Sequence, residues 1–295
     1  MDEQDIQMLQ VLSQTQNITK TAKKLYTTQS ALTKRIQKLE EDLGCQLFIR
    51  SRKGILLTPT AEQILPYVDT ISHSMEYIRS HAASAQGEVS GTLHVGVSVN
   101  IARYRLPHIL KAYMTQYPKV AVHVTTKQRT GLYKALAENE ISIAIVRGEF
   151  QWKEGAVTLS EEPVCLVVSK EHADTPLDQL PYIGRHTDPV FFDLIEQWKK
   201  ENHYENIPTQ LWIDDISSCL EMVTNGIGWA ILPQICLKNF TGSVTPLSFQ
   251  DGTSFTRSTH ILYKHDYFEL PQVKTFIRTA LADEYYTTFK EELPR

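Results

Sequence analysis

No run of apolar residues in this 295-residue chain approaches the roughly 18 needed to cross a bilayer, so no membrane span is expected. Met1-Asp2-Glu3-Gln4-Asp5 is acidic and polar, unlike an export signal. Cysteine is scarce. Cys45, Cys165, Cys219 and Cys236 are scattered, with no Cys-x-x-Cys pair, which suits buried free thiols in a reducing cytoplasm. A redox sensor would need a thiolate beside cations, and no local pattern supplies one. The ten histidines form no His-x-x-x-His, no His-Glu-x-x-His and no Cys/His cluster, so neither a metal site nor another cofactor is expected. Gly-x-Ser-x-Gly and glycine-rich phosphate loops are also missing. These absences weigh against an enzyme, although catalytic groups can converge from distant positions.

What is present is a soluble globular composition, 42% hydrophobic, in a chain long enough for more than one core. Positive charge is concentrated. Between Lys20 and Lys53 nine cations stand against three anions, a local net of +6 in a chain whose total is −4. Asn17-Ile18-Thr19 opens a helix with Ala22 and Leu25 on one face. Thr27-Thr28-Gln29-Ser30 then supplies hydroxyl and amide groups suited to capping a second helix. In that helix Ala31, Leu32, Ile36 and Leu39 recur at helical spacing and should face a core. Ser30, Thr33, Lys34, Gln37 and Lys38 fall on the opposite face. An apolar back and a short polar, basic front suit entry into a major groove. Leu43-Gly44 is a helix stop. Two short strand-like runs follow, Leu47–Ile49 and Ile55–Leu57. Between them lies the basic turn Arg50-Ser51-Arg52-Lys53-Gly54, fit to touch phosphates or a minor groove. A solvated lysine-rich surface is the bland alternative; the capping cluster, polar front and basic turn in sequence argue against it.

The run from Asn17 to Gly44, with Leu47-Phe48 and Leu57-Thr58, closely resembles the winged helix-turn-helix of LysR-type transcriptional regulators. One departure is visible: that family often has proline where this chain has Ser30, and serine also suits a first helical turn. The resemblance implies base and phosphate contacts at Thr28, Gln29, Ser30, Thr33, Lys34, Arg50 and Arg52. The basic front and turn add Lys38 and Lys53.

Thr58-Pro59 reads as a helix start. Downstream, Ile64, Val68, Ile71, Met75, Ile78 and Ala82 alternate in steps of four and three, a heptad seam. An amphipathic helix packed on its own domain would look the same; the resemblance implies a linker helix that pairs two chains. Pro66 removes one backbone donor near its start. The small residues at 82–87 are the hinge candidate.

Beyond residue 90 strands and helices alternate. Strands are expected at Thr92–Val99, Val120–Thr126, Ile141–Val146, Val164–Ser169, Gln210–Ile213, Trp229–Leu232 and His260–Lys264. Helices are expected over Arg103–Tyr117, to about Asn139, near Phe191–Lys200, from about Ile216, and around Gln272–Tyr286. That pattern is α/β with a mainly parallel sheet. Two such lobes, with chain crossing near 164–169 and 260–264, are similar to the LysR-type effector domain, whose fold is periplasmic-binding-protein-like. Asn225–Pro233 resembles a glycine-containing helix-to-strand segment of that family. Ligands of such units bind at the carboxyl ends of strands beside helix starts. This criterion selects Ser98, Asn100, Thr126, Gln128, Arg147, Asp215 and Ser217, with Arg147 the cation placed to pair with a carboxylate or sulfate. Residues 98–107 also resemble the loop with which sulfur-metabolism members hold an anion. Plain helix capping by Ser98, Asn100 and Ser217, and a surface ion pair between Arg147 and Glu149, are the alternatives.

The expected architecture is α/β: an all-α winged helix-turn-helix (1–59), a linker or dimerisation helix with hinge (60–88), and a two-lobed effector domain (89–295). Lobe I takes about 89–163 and 266–295, and lobe II about 164–265. The expected activity is regulation of transcription, not catalysis. The expected partners are double-stranded promoter or operator DNA and a small-molecule, anionic effector. A second copy through the linker helix, a homotetramer as the resemblance implies, and RNA polymerase complete that set, in a bacterial cytoplasm. A pure solute-binding protein would not need residues 1–60, and an architectural DNA protein would not need the two lobes.

Overall fold

The computed structural model describes residues 1–51, 54–84 and 89–283. The chain opens on a helix the sequence pattern did not announce, α1 (Glu3–Thr15). Asp2 and Asp5 form a reciprocal capping box at its start, and Ile6, Met8, Leu9 and Leu12 are buried. Next come α2 (Ile18–Lys24), capped by Asn17, and α3 (Gln29–Leu43), capped by the Thr28 hydroxyl on the Ala31 N–H. Gly44 ends α3 at φ 67°, a left-handed conformation natural to glycine. The core face of α3 is Leu32, Ile36 and Leu39; Ala31, expected there, is exposed because it lies at the free first turn. The hairpin β1 (Phe48–Ser51) and β2 (Gly54–Leu57) pairs antiparallel, Phe48 opposite Leu57. Glu40 accepts from the N–H groups of Leu47 (2.7 Å) and Phe48 (3.0 Å), fixing the hairpin to α3. A Cβ at Gly54 would stand 2.5 Å from the Gln16 carbonyl oxygen, so glycine is required for that approach. Arg52 and Lys53 lie outside the described residues, as do residues 85–88, where part of the expected hinge falls; of Arg50 only the backbone is described.

The linker α4 (Pro59–Ser84) contains Pro66 and starts on Thr58, whose hydroxyl accepts from the Ala61 N–H (3.1 Å). Its apolar residues divide between two faces, where the sequence suggested one seam. Val68 is 1% exposed and packs with Ile64, Leu65 and Met75 into the helix-turn-helix core, against α1. Tyr67, Ile71 and Ile78 point outward, Ile78 at 66% exposure.

The remainder is built on a seven-stranded sheet. Its elements in order are β3 (Gly91–Val97), α5 (Val99–Tyr104), α6 (Leu106–Gln116), β4 (Val120–Thr126), α7 (Arg129–Ala137), β5 (Ile143–Arg147) and β6 (Gly155–Val168). There follow β7 (Tyr182–Arg185), α8 (Pro189–Glu201), β8 (Thr209–Ile213), α9 (Ile216–Thr224), β9 (Ala230–Pro233), β10 (Ser243–Pro246), β11 (Thr256–Tyr263), α10 (His265–Phe268) and α11 (Pro271–Leu281). The strand order is β10-β6-β11-β5-β3-β4, with β9 also on β6. β3 pairs parallel with β4 and β5, whereas β11 runs antiparallel to both β5 and β6. β7 and β8 form a separate parallel pair. β5 is buried at every residue, as a central strand covered on both faces should be.

The sheet departs from the mainly parallel one expected, because the crossing strands β6 and β11 pair antiparallel with their neighbours, and β7 and β10 are strands the sequence pattern did not show. Two expected elements also differ in extent. The single helix over 103–117 is two, α5 and α6, because Leu106-Pro107 disfavours continuous helix at the residue before. The strand expected at 164–169 is the end of a 14-residue crossing strand, whose apolar pattern is interrupted at its middle by Ser160-Glu161-Glu162-Pro163. A contiguous core joins both lobes through the crossing strands, from Leu93, Ile109 and Phe276 to Cys165, Cys219 and Leu232. Tyr113 ties α6 to α11, its buried hydroxyl donating to the Gln272 carbonyl (2.8 Å).

Candidate nucleic-acid interface and ligand cleft

At the first site α3 turns Thr28, Gln29, Ser30, Lys34 and Lys38 to solvent, with Thr33 half-buried between them. The Thr19 hydroxyl donates to the Gln29 amide oxygen (3.3 Å), so α2 steadies the side chain at the tip of α3. Thr28 and Ser30 hydroxyls are 3.1 Å apart. Lys20, Lys23 and Lys24 are exposed on α2. Arg35 does not join this front. Its Nε donates to Asp5 (2.6 Å) and its Nη1 to Gln4 (2.6 Å), and it also pairs with Asp2, which locks α3 to the start of α1. Tyr26 is fully exposed at φ 50° in the turn between α2 and α3.

The second site is a cleft of about 770 Å³ where α5, α7 and α8 begin and β5, β7 and β8 end. Of the seven predicted residues it gathers Ser98, Asn100, Gln128 and Arg147. Thr126 is exposed at the edge strand and does not line it. Asp215 and Ser217 belong elsewhere, because α9 packs its start against α5 and not into the cleft. Asp215 caps α9, accepting from the Ser218 N–H (2.8 Å) and hydroxyl (3.0 Å). Burial alone would raise the Asp215 carboxyl; these bonds and the Arg103 charge hold it below its ordinary range. Ser217 lies 2.6 Å from the Tyr104 hydroxyl and lines a different cavity of about 600 Å³. Ser98 heads α5 without a capping bond, and its buried hydroxyl has no partner among the described residues.

Arg147 is not an open counter-charge, and Glu149 is not its partner. Arg147 pairs with Glu162 of β6, at side-chain exposures of 6% and 1%, so each charge is neutralised inside the fold. The cations that sequence reasoning missed are Arg129, Arg185 and Arg257. Arg257 stacks on the Phe191 ring, 3.9 Å from its centroid, and donates to Asp188 (2.5 Å). Arg129 lies 3.4 Å from the same carboxylate and donates to the Arg147 carbonyl (2.6 Å). Asp188 also caps α8 through the Phe191 N–H (3.1 Å). Burial raises the Asp188 carboxyl, but Arg257, the Phe191 N–H and Arg129 outweigh it and hold it below its ordinary range. Arg185 closes β7. The strand-end criterion would have found it had Pro181-Tyr182-Ile183-Gly184 been read as a strand.

Among the described residues no group of His, Cys, Asp or Glu is placed to hold a metal ion, and no helix is long and apolar enough to cross a membrane. A helix-turn-helix with an exposed polar front, joined to a two-lobed cleft, is the layout of a ligand-responsive DNA-binding protein. Residues 4–62 match the bacterial regulatory helix-turn-helix protein family, lysR type, and residues 86–283 match the LysR substrate binding domain. The chain is 33% identical over 288 residues to the HTH-type transcriptional regulator YraN of Bacillus subtilis (strain 168), covering 97% of this chain and 100% of that protein. It is 28% identical to the HTH-type transcriptional regulator IlvY of Escherichia coli (strain K12), over 81% and 84% of the two chains. A full-length OxyR variant from Pseudomonas aeruginosa superposes with a TM-score of 0.67 at 20% identity, over 96% and 97%. CbnR in complex with its target DNA gives 0.67 at 19%, over 95% and 99%. The chain belongs to the LysR family of bacterial transcriptional regulators. It is a DNA-binding regulator with a substrate-binding domain, in a family of regulators and not of enzymes.

Proposed function

We propose that the chain reads a promoter through α3 and adjusts that binding to a small anionic effector held in the 770 Å³ cleft. The observation that carries this reading is one chain joining an exposed polar helix front to a cleft with four arginines in its wall. Residues 1–59 bind DNA, 60–88 pair two chains, and 89–295 take the effector between lobes I and II. Gln29, Thr33 and Lys34 face base edges, with Thr28, Ser30 and Lys38 beside them. Arg50, Arg52 and Lys53 anchor phosphates in the wing. A dimer presents two reading helices to half-sites, and a homotetramer spans two neighbouring sites. The superposition on CbnR, whose structure was solved with its target DNA, supports the docking of the first domain. Effector binding shifts the assembly only as far as it favours one arrangement over the other. The protein works in the cytoplasm, where promoter and RNA polymerase are found. Competition binding on a promoter fragment tests the reading. Gln29→Ala should cost about 1–3 kcal/mol on the cognate site and relax base preference. Unchanged selectivity would refute the role of α3.

A further inference from the structure

The charge balance of the cleft specifies its ligand more narrowly, on the reading of residues 89–283 as a ligand-binding unit. Arg147 is balanced by Glu162. Asp214 stands at the mouth, largely exposed and 2.5 Å from His186. Three guanidinium groups remain, Arg129, Arg185 and Arg257, and the one carboxylate withdrawn from water among them is Asp188; the Asp214 charge at the mouth is screened by solvent. Two positive charges are therefore uncompensated.

Arg185 is the clearest of the three. It lines the cleft, its Nε is buried without a partner, and no hydrogen bond or ion pair joins its side chain to another described residue. Burial pulls its pKa down, yet a guanidinium stays protonated. Arg257 is in the same condition on two of its three nitrogens: Nε and Nη1 are buried without partners, and only Nη2 reaches Asp188. Arg185 and Arg257 are close enough to repel each other. An unpaired buried charge is expensive, and two of like sign held together are more so. Such an arrangement persists where an anion completes it. The buried Ser98 hydroxyl and Gln128, which starts α7 without capping it, add neutral polar groups to the same wall.

We propose that the cleft binds a small dianion, with Arg185 as its principal anchor and Arg129 and Arg257 sharing its charge with Asp188. The chemistry required is two negative charges on oxyanion groups, met by a dicarboxylate or by sulfate or hydrogen phosphate. The full-length protein can be tested by thermal melting at constant ionic strength. One arm uses malonate, succinate and glutarate, a second uses sulfate and hydrogen phosphate, and acetate and chloride are the monovalent controls. The proposal expects saturable stabilisation in one dianion arm, little from acetate, and affinity lowered on the order of thirtyfold or more in Arg185→Gln. Without any anion, Arg185→Gln should melt at or above wild type, because an uncompensated charge has been removed. Arg257→Gln should melt below it, because Asp188 loses its partner. Equal stabilisation by acetate, absence of saturation by every dianion, unchanged affinity in Arg185→Gln, or an Arg185→Gln protein that melts well below wild type would each overturn the proposal. Selective promoter binding measured on the same preparations keeps the two readings apart. If it is present while the dianion response is missing, the ligand assignment fails alone; if it is missing in wild type, the regulator reading fails.

Discussion

Arg147 shows how a residue can be located correctly and still be given the wrong partner. The strand-end rule found it because Ile143–Arg147 is a strongly apolar strand. Glu162 was out of reach, because it sits 15 residues on in the polar middle of β6. The consequence is testable. Arg147→Met leaves the Glu162 carboxylate buried without its counter-charge and should cost about 3–5 kcal/mol of stability in urea unfolding. Adding Glu162→Gln to Arg147→Met should recover much of that loss. A stable single variant would mean the pair does not hold the fold. Asp188 gives a pH prediction. Its folded carboxyl lies below the ordinary 3.8, so its contribution is present above that value and lost as pH falls through the folded one. Asp188→Asn should be less stable than wild type at neutrality, and the gap should narrow as urea midpoints are followed to about pH 3. A constant gap would deny that Asp188 is the titrating group.

At the level of elements, the linker helix carried two patterns in one spacing. Steps of three and four bring an inner row and an outer row of apolar residues onto neighbouring stripes of the same helix, and only the covering element tells them apart. That element is α1, whose apolar positions were not read as a helix. It buries Val68, while Tyr67, Ile71 and Ile78 remain outside. Ile71→Glu with Ile78→Glu should therefore give a folded monomer with poor promoter binding. Val68→Glu should instead unfold the helix-turn-helix, since a buried carboxylate there has no partner. Light scattering and circular dichroism on both variants decide this. A dimer that survives the double change would place the pairing surface elsewhere.

Across the whole molecule the cysteines report the integrity of the two-lobed core. Burial raises the thiols of Cys165 and Cys236 to about 12 and that of Cys219 to about 11, and all three belong to the core that joins the lobes. Cys45 is the half-buried exception, in the DNA-reading domain. A thiolate is the reactive form, so a thiol reagent at neutral pH should modify one cysteine in the native protein and all four in denaturant. The three slow sites should react together, at the rate at which the lobed domain opens. Rapid native modification of Cys219 or Cys236 would show that the core between the lobes is loose.

Residues 17–57 disclosed their role from sequence alone, because capping, helical periodicity and a basic turn are local signals, each readable within a few residues. The alternation of strands and helices past residue 90 was legible for the same reason. The cleft was legible only in part. Ser98, Asn100, Gln128 and Arg147 follow from strand ends. Arg129, the Arg185–Asp188 turn and Arg257 converge from three separate segments, and their grouping depends on how β6 and β11 cross between the lobes. Which arginine is neutralised and which is left charged is a matter of distance and burial. Those quantities exist only once the chain has folded.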